Sequence, residues 1–452
     1  MCTVPRLFLG KFKKGSGWNK PSAEKPASHK PYDGPDGFSV GTYYSNWSPY
    51  EARDHKPTDI PVNLLTHVYY AFFVVDAKTG AVKSSDSWSD FEMPMSGGTK
   101  GCIKELQKIK LNSKHEFRSI LCLGGWSNRE AYKKIATSEK KVKTFIRTAV
   151  ECMFQYGFDG IDLDWEFPEE GTNEPAVYLE MMRGIREGMD ELELQIFGPA
   201  ESDNDRLHFQ LSVATPAFGE KLNILPISEM SNYVDIWNMM CYDFHGEWSE
   251  VTGYHTNLYV QGHSRKRNSN SRVSDSTLSS DAAIKIMTEK HKIPARRLSL
   301  GMAAYGRGFT NVESKDETYI GKKFHGVGGA SEGEPGIWLY NQLPIENTEE
   351  QFDASAVSAY CYDSKQRTFV GYDNTRSMNV KGKYIKTMNL NGGFWWESCG
   401  DSKDPNKSLV NALRKEIEPS EGFVSLFKHK QVQDHHLQKY PQDYISDLFQ
   451  KF

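Results

Sequence analysis

The sequence has no apolar run that approaches membrane-spanning length, and no large excess of charge of either sign. Its 452 residues have a formal net charge of −4 and a mean hydropathy of −0.61. A chain with this charge balance offers no electrostatic case for binding nucleic acid or an anionic membrane surface. We therefore expect a soluble globular protein with neither nucleic acid nor membrane as a partner.

The sequence also lacks the cysteine patterns of disulfide frameworks and zinc sites. Its seven cysteines are an odd number, and they are scattered from Cys2 to Cys399 without CxxC spacing. Such a distribution argues against both kinds of site. We expect mostly buried thiols, no metal and no cofactor.

Two short segments have some features of targeting signals. The N-terminal stretch MCTVPRLFLGKFKKGSG is interrupted by Arg6, which makes it a poor secretory signal peptide. The basic cluster HSRKRNSNSR from His263 is better interpreted as a solvated loop than as a nuclear address. The sequence therefore leaves the location of the protein open.

Apolar runs of β-forming residues recur along the chain, with helix-like stretches such as 140–157 between several of them. Eight such runs begin near residues 38, 64, 117, 158, 208, 233, 298 and 392. Alternation of strands and helices indicates a parallel sheet, and eight strands is the number of the closed barrel. We predict an α/β protein with a (β/α)8 TIM barrel.

The seventh and eighth runs are about ninety residues apart, far more than an ordinary connection requires. Short strands and turns within this stretch predict a small inserted α+β domain at 309–375. The barrel would then comprise 38–308 and 376–419. We expect a flexible N-terminal tail at 1–37 and a C-terminal tail at 420–452, which could include a docking helix and whose histidines, including His436, we expect to be solvated.

The stretch FDGIDLDWEFP, Phe158–Pro168, places four acidic residues among eleven. Side chains alternate along a strand, so Asp162, Asp164 and Glu166 point one way and the apolar residues between them point the other. In a barrel the acidic set faces the interior and leads toward the C-terminal mouth. Burying like charges is costly unless some stay protonated, and the crowding raises the pKa of the outermost carboxyl, as a general acid requires.

Other interpretations of this acidic strand remain open at the level of the residues. The acids could lie in an exposed loop, but the apolar residues between them disfavour that. Three carboxylates on one face could also hold magnesium or calcium. The other predicted strand ends supply aromatic residues rather than oxygen ligands, which favours an acid–base site.

The acidic strand resembles glycoside hydrolase family 18, the chitinases and their relatives. The family motif DxxDxDxE is matched by Asp159, Asp162, Asp164 and Glu166. The similarity extends in family order over 39–419 and includes CLGGW (122–126), MCYDFHG (240–246), YGRGF (305–309) and GGFWWE (392–397). The paired tryptophans are most similar to those of fungal members, and the predicted insertion to that of the deep-cleft branch.

The resemblance implies roles for the catalytic residues. Glu166 would protonate the glycosidic oxygen, and the 2-acetamido oxygen of the substrate would attack the anomeric carbon in place of a protein nucleophile. Asp164 would accept a hydrogen bond from the acetamido N–H, with Asp162 sharing a proton beneath it. Tyr242 would donate to the acetamido oxygen.

The resemblance also implies a substrate-binding set and a structural residue. Trp396 would form the floor under the reacting sugar, and Trp126 would stack on the leaving-group side. The implied substrate-binding residues are Tyr43, Phe72, Trp126, Met240, Asp243, Tyr305, Arg307, Glu334 and Trp396. Asp159 faces the opposite way by parity, so we interpret it as structural.

Two positions depart from the family pattern. Cys122 stands where the family usually has serine, which weakens a hydrogen bond to the acidic cluster because a thiol is a poor donor. Thr42 stands where animal members carry a cysteine, so their disulfide is absent.

The resemblance predicts a monomeric chitinase that hydrolyses β-1,4 bonds of chitin or chitooligosaccharides by a substrate-assisted retaining mechanism. A chitin-binding lectin and an endo-β-N-acetylglucosaminidase on the same fold are the alternatives. Lectin relatives typically lose the acid at the position of Glu166, and glycan-cleaving relatives usually lack the insertion and the full aromatic set. Family members are usually secreted or associated with the cell wall.

Overall fold

The structure, a computed structural model, describes residues 37–51, 53–199, 207–260, 278–314, 318–329 and 334–450. The predicted N-terminal tail, except Gly37, and the basic cluster from His263 lie outside these residues. Within them, every helix is too short or too polar to span a membrane.

The strands and helices of the described residues follow one another in alternation over most of the chain. The strands are β1 Ser39–Ser45, β2 His67–Val75, β3 Val82–Ser84, β4 Arg118–Gly124, β5 Gly160–Asp164, β6 Gln210–Pro216, β7 Ile236–Met240, β8 Leu298–Ala303, β9 Tyr305–Phe309, β10 Ile337–Leu339, β11 Gln351–Asp353, β12 Ser358–Asp363, β13 Thr368–Tyr372 and β14 Gly392–Trp396. The helices are α1 Cys102–Asn112, α2 Arg129–Ala136, α3 Glu139–Gln155, α4 Glu174–Phe197, α5 Gly219–Leu222, α6 Ile227–Met230, α7 Ser280–Lys285, α8 Thr375–Thr387, α9 Leu409–Arg414, α10 Lys430–Lys439 and α11 Ser446–Phe449.

Eight parallel strands close into a barrel. Their order is β1-β14-β8-β7-β6-β5-β4-β2, and pairing of β1 with β2 completes the ring. β3 adds to β2 in the antiparallel direction. Each barrel strand falls on one of the apolar runs identified in the sequence, so the predicted (β/α)8 barrel is confirmed.

A second sheet of five strands lies in the chain between β8 and β14. Its order is β10-β9-β13-β12-β11, and every pairing is antiparallel. β9 begins two residues after β8 ends, so the sheet starts directly at the mouth of the barrel. That this region forms a separate inserted domain at 309–375 stays a prediction.

The helices pack on the barrel because their apolar residues recur at helical spacing. In α3, Val142, Phe145, Ala149 and Met153 are buried, and the helix lies against α4 and β5. Ile161 and Leu163 of β5 point outward and are buried between the barrel and its helices. Trp165 just after β5 stacks on Tyr132 with ring centroids 5.2 Å apart.

The C-terminal segment packs against the end of the barrel where the strands begin. Phe423 contacts the ring of His67 edge to face, with centroids 4.5 Å apart. Ser425 and Leu426 donate hydrogen bonds of 2.8 Å to the Asp159 carboxylate. His436 is fully buried in α10, so the expectation of a solvated side chain is wrong there, because α10 packs onto the barrel helices rather than into solvent.

Asp159 therefore joins the acidic strand to the barrel base. Its other oxygen accepts from Lys110 Nζ at 2.8 Å and from the Ser119 N–H at 2.9 Å, and both charged side chains are fully buried. Removal of one partner of such a buried ion pair lowers the stability of the fold strongly, because the other charge remains buried and uncompensated.

Asp159→Ala should therefore lower the free energy of unfolding by about 3–5 kcal/mol. Asp434→Ala, which removes the partner of Lys430 in an exposed pair on α10, should leave the denaturation midpoint near that of the wild type. Urea denaturation followed by tryptophan fluorescence measures both. Equal midpoints for the two variants would show that the Lys110 pair does not stabilise the fold.

Candidate active site

The acidic strand reaches the mouth of the barrel because β4 and β5 run in register, with Cys122 beside Asp162 and Gly124 beside Asp164. A Cβ on Gly124 would lie 1.9 Å from the Asp164 carbonyl oxygen. A Cβ on Gly125 would lie 2.7 Å from the Phe72 ring. The Gly-Gly pair thus lets β4 end in direct contact with both the acidic strand and an aromatic residue of the site.

Asp162 lies fully buried beneath the mouth and is held by three donors. Its carboxylate accepts hydrogen bonds from Tyr43 at 2.7 Å, Ser212 at 2.6 Å and Asn238 at 3.0 Å. Burial raises the pKa of Asp162 to about 6, although these hydrogen bonds act in the opposite direction. The side chain is therefore fixed in position, and its charge state changes near neutral pH.

Asp164 is the next carboxyl along the strand, nearer the mouth of the barrel than Asp162, and it has a different environment. Among the described residues, none forms a hydrogen bond with its Oδ1, although that atom is buried. Burial raises the pKa of Asp164 well above its usual range, and the neighbouring Glu166 and Asp162 carboxylates raise it further. An unpartnered oxygen at this depth is an acceptor for a donor that enters from the cleft.

Glu166 follows the strand end and is half-buried at the mouth. Burial raises the pKa of Glu166 to about 7, with a further contribution from the negative charge of Asp243. The Trp126 N–H and the Arg129 guanidinium oppose this shift. Glu166 is thus protonated in a large fraction of molecules at neutral pH, as a general acid must be.

Asp243 forms the charged centre of the opposite wall. Its Oδ1 accepts from the Tyr305 hydroxyl at 2.5 Å and from Arg307 Nε at 2.6 Å. Burial would raise the pKa of Asp243, but the neighbouring Arg307 guanidinium outweighs burial and holds that pKa below its usual range. Asp243 is therefore ionised and directs Tyr305 and Arg307, which begin the second sheet, toward the cleft.

Aromatic residues form the floor and the rims of the cleft. Trp396 stacks on Phe72 with centroids 5.7 Å apart and lies 5.5 Å from the Tyr43 ring. Trp126 and Trp248 are 58% and 55% exposed, although each is partly covered by an arginine. Exposed aromatic faces in a polar cleft bind the apolar faces of rings that also carry hydroxyl or amide groups.

The structure brings all predicted site residues together around one cleft of about 870 Å³. The cleft is lined by Tyr43, Phe72, Trp126, Asp164, Glu166, Met240, Tyr242, Asp243, Tyr305, Arg307, Glu334 and Trp396. Asp162 lies directly beneath it. Glu334 is exposed at the edge, where its charge acts on Arg307.

Several lining residues were not identified from the sequence. Trp47 lies 6.3 Å from the Trp396 ring, and Arg53 forms an ion pair with the buried Glu397. Trp248 follows MCYDFHG by two residues, and Glu397 directly follows Trp396. Adjacency to a recognised segment was a usable signal for Trp248 and Glu397, whereas Trp47 and Arg53 lie in a loop without such a signal.

Side chains at metal-ligand spacing lie elsewhere in the described part of the chain. Asp190, Glu193 and His208 form such a group near the end of α4. Arg186 donates to Asp190 and Glu193 at 2.8 Å each, so a fixed positive charge already lies among these carboxylates. The group is therefore explained as a buried ion-pair network.

The fold and the cleft together define a barrel enzyme with a carboxyl of raised pKa at the C-terminal mouth and an aromatic floor, the arrangement of a glycosidase. The profile of the family "Glycosyl hydrolases family 18" matches residues 39–401. The chain is a member of this family.

Known proteins with similar sequences agree with this assignment. The chain is 41% identical to "Sporulation-specific chitinase 2" of Saccharomyces cerevisiae over 441 residues, which cover 90% of this chain and 83% of the relative. It is 32% identical to "Chitinase 1" of Aphanocladium album over 383 residues, covering 83% and 84% of the two chains.

Solved structures share the fold. A chitinase from Bacillus thuringiensis superposes with a TM-score of 0.71 at 24% identity, covering 84% of this chain and 70% of the other. A chitinase from Cycas revoluta in complex with (GlcNAc)3 superposes with a TM-score of 0.65 at 23% identity, covering 83% and 98%.

The pKa values of Asp162 and Glu166 predict a bell-shaped pH dependence of kcat/KM, with loss of activity above about pH 7 as Glu166 ionises. Cys122 lies beside Asp162 in the pairing of β4 with β5, and its thiol lowers the pKa of Asp162. Cys122→Ser supplies a stronger donor, so the acidic limb should move to lower pH while the alkaline limb stays in place.

Initial rates across the pH range measure this shift, with Cys152→Ser, outside the cleft, as the matched control. An acidic limb that stays in place, or moves to higher pH, would contradict an influence of position 122 on Asp162.

Proposed function

We propose that this protein is a chitinase that cleaves β-1,4 bonds between N-acetylglucosamine units with retention of configuration. The proposal rests on the position of Glu166, whose pKa is raised to about 7, at the cleft surface above a buried Asp164 oxygen that has no hydrogen-bond partner among the described residues. The relatives named as chitinases support the substrate class. The retained Glu166 argues against a lectin, which needs no acid.

Asp162 and Glu166 are not available as protein nucleophiles, and Asp164 binds the acetamido N–H of the substrate. Asp162 is fixed by three hydrogen bonds below the cleft, and Glu166 is required as the acid. The 2-acetamido oxygen of the sugar therefore attacks the anomeric carbon. Asp164 accepts a hydrogen bond from the acetamido N–H, which orients the group and stabilises the positive charge of the oxazolinium ion.

The first step breaks the glycosidic bond as the acetamido oxygen bonds to the anomeric carbon. Glu166 gives its proton to the departing sugar oxygen, and Tyr242 steadies the acetamido oxygen by donating a hydrogen bond. In the second step the Glu166 carboxylate takes a proton from water, and the water oxygen opens the oxazolinium ring. Two displacements at one carbon retain the β configuration.

The remaining residues bind the sugar chain. Trp396 supports the reacting sugar from below, with Tyr43, Phe72 and Met240 around it. Asp243 directs Tyr305 and Arg307 toward the cleft. Arg307 donates hydrogen bonds to sugar hydroxyls and acetamide groups, and the Tyr305 oxygen, whose proton is donated to Asp243, accepts one. Trp126 and Trp248 provide stacking surfaces at the rims, so the enzyme engages several sugars of chitin or of a chitooligosaccharide.

Glu166→Gln keeps the shape of the side chain but removes the proton donor. Turnover of N-acetylchitohexaose should fall by at least about 10²-fold, while binding of the oligosaccharide is retained. Product sizing by chromatography and binding by titration calorimetry measure the two effects. Turnover near the wild-type rate would exclude Glu166 as the acid, and a wild-type protein that leaves chitooligosaccharides intact would contradict the proposed function.

Trp126→Ala should reduce kcat/KM for long oligosaccharides more than for short ones, because remote sugars contribute binding energy to the transition state. Trp88→Ala is the matched control, since Trp88 is 54% exposed but does not line the cleft. Rates on N-acetylchitotriose through N-acetylchitohexaose test this. An equal effect of Trp126→Ala on every length would assign Trp126 to packing alone.

A further inference from the structure

Asp243 has a backbone conformation that is uncommon outside glycine, although aspartate tolerates it better than most residues. Its φ is 59°, in the left-handed region that disfavours residues with a side chain. This conformation follows the end of β7 and turns the carboxylate toward Tyr305 and Arg307, in the cleft that Glu166 also lines. Contacts of the Asp243 backbone with neighbouring residues stabilise this conformation.

His255, which belongs to no motif identified in the sequence, provides those contacts. Its Nδ1 accepts a hydrogen bond from the Asp243 N–H at 3.4 Å, and its Nε2 lies 3.1 Å from the Tyr305 carbonyl oxygen. Its own carbonyl accepts from the Phe244 N–H at 3.1 Å. One residue thus holds the backbone of Asp243 and Phe244 and joins it to the start of β9.

The two partners define the tautomer of the ring. A carbonyl can only accept, so Nε2 must carry the proton, and the neutral Nδ1 is then free to accept from the Asp243 N–H. Nδ1 also lies 3.7 Å from Asp243 Oδ1. A second proton, on Nδ1, would remove the acceptor of the Asp243 N–H and turn the ring toward the carboxylate.

The surroundings keep the ring neutral. His255 is fully buried, and burial lowers its pKa, while the neighbouring Asp243 carboxylate acts in the opposite direction. Arg307 disfavours a positive ring, and Asp373, which favours one, is itself paired with Lys381 at 2.7 Å. The Tyr305 ring lies against the imidazole with centroids 5.0 Å apart.

We propose that His255 is a positioning residue that holds Asp243 in its left-handed conformation and keeps its carboxylate in the cleft that Glu166 also lines. The proposal rests on the proposed function in assigning Glu166 as the acid. Loss of the two imidazole hydrogen bonds would release Asp243, and its negative charge would act less strongly on Glu166. Glu166 would then lose its proton at lower pH.

The test compares two substitutions at this position. His255→Leu fills similar volume but makes neither hydrogen bond, whereas His255→Gln offers a carbonyl for the Asp243 N–H and an amide N–H for Tyr305. We expect the alkaline limb of kcat/KM to move to lower pH in the leucine variant, with a fall in kcat of roughly 10- to 100-fold. The glutamine variant should recover most of both properties, and His325→Gln, an exposed histidine of the second sheet region, should match the wild type.

A double variant separates positioning from general packing. If His255 acts through Asp243, then His255→Leu should move the alkaline limb no further in an Asp243→Asn background. If the leucine variant does not fold, as judged by circular dichroism, His255→Asn replaces it, because its shorter side chain cannot reach both partners. An unmoved limb, a glutamine variant as impaired as the leucine variant, or a shift that persists in the Asp243→Asn background would overturn the proposal.

The acidity of Glu166 can also be measured without turnover. A ¹³C NMR titration of glutamate-labelled protein, with the Glu166 signal assigned by its loss in Glu166→Gln, should give a lower pKa in His255→Leu than in the wild type. An unchanged pKa contradicts the role of His255. An inactive wild type with a shifted pKa would instead contradict the proposed function and leave the positioning role supported.

Discussion

The burial of neighbouring carboxyl groups on a single barrel strand is the constraint on which the rest of the site depends. Like charges in a poorly solvated interior cannot all be ionised, so the surroundings must determine which group holds a proton. Three hydrogen bonds fix Asp162, whereas Asp164 receives none on its buried Oδ1 from the described residues, and Glu166 lies half-buried at the surface. Identical functional groups thus acquire different roles from their depth along one strand.

The opposite wall of the cleft also contains a buried carboxyl group, Asp243. An ionised Asp243 near Glu166 favours the protonated acid, but a further buried negative charge requires compensation. Arg307 supplies it from β9, the first strand beyond the barrel, and His255 holds the backbone in place. The second sheet therefore contributes to the acidity of the site through its first strand, in addition to forming a wall of the cleft.

The barrel and the orientation of the acidic strand could be predicted because both follow from local periodicity. Alternation along 158–168 placed Asp162 and Asp164 inside and Trp165 outside, as the structure has them. The loop residues Trp47 and Arg53 could not be predicted, since their position depends on contacts with β14, more than 300 residues away. The burial of His436 could not be predicted for a similar reason, because a polar helix gives no local indication that a distant surface will bury it.

In the proposed mechanism the substrate supplies the nucleophile, because Glu166 is the acid, Asp162 is fixed below the cleft and Asp164 binds the acetamido N–H. Partially acetylated chitosan tests this directly, since only sugars that carry an acetamido group can react. We expect fragments whose new reducing ends are almost only N-acetylglucosamine, released first as the β-anomer in proton NMR spectra recorded within minutes. Glucosamine at the new reducing ends, or initial release of the α-anomer, would contradict the proposed mechanism.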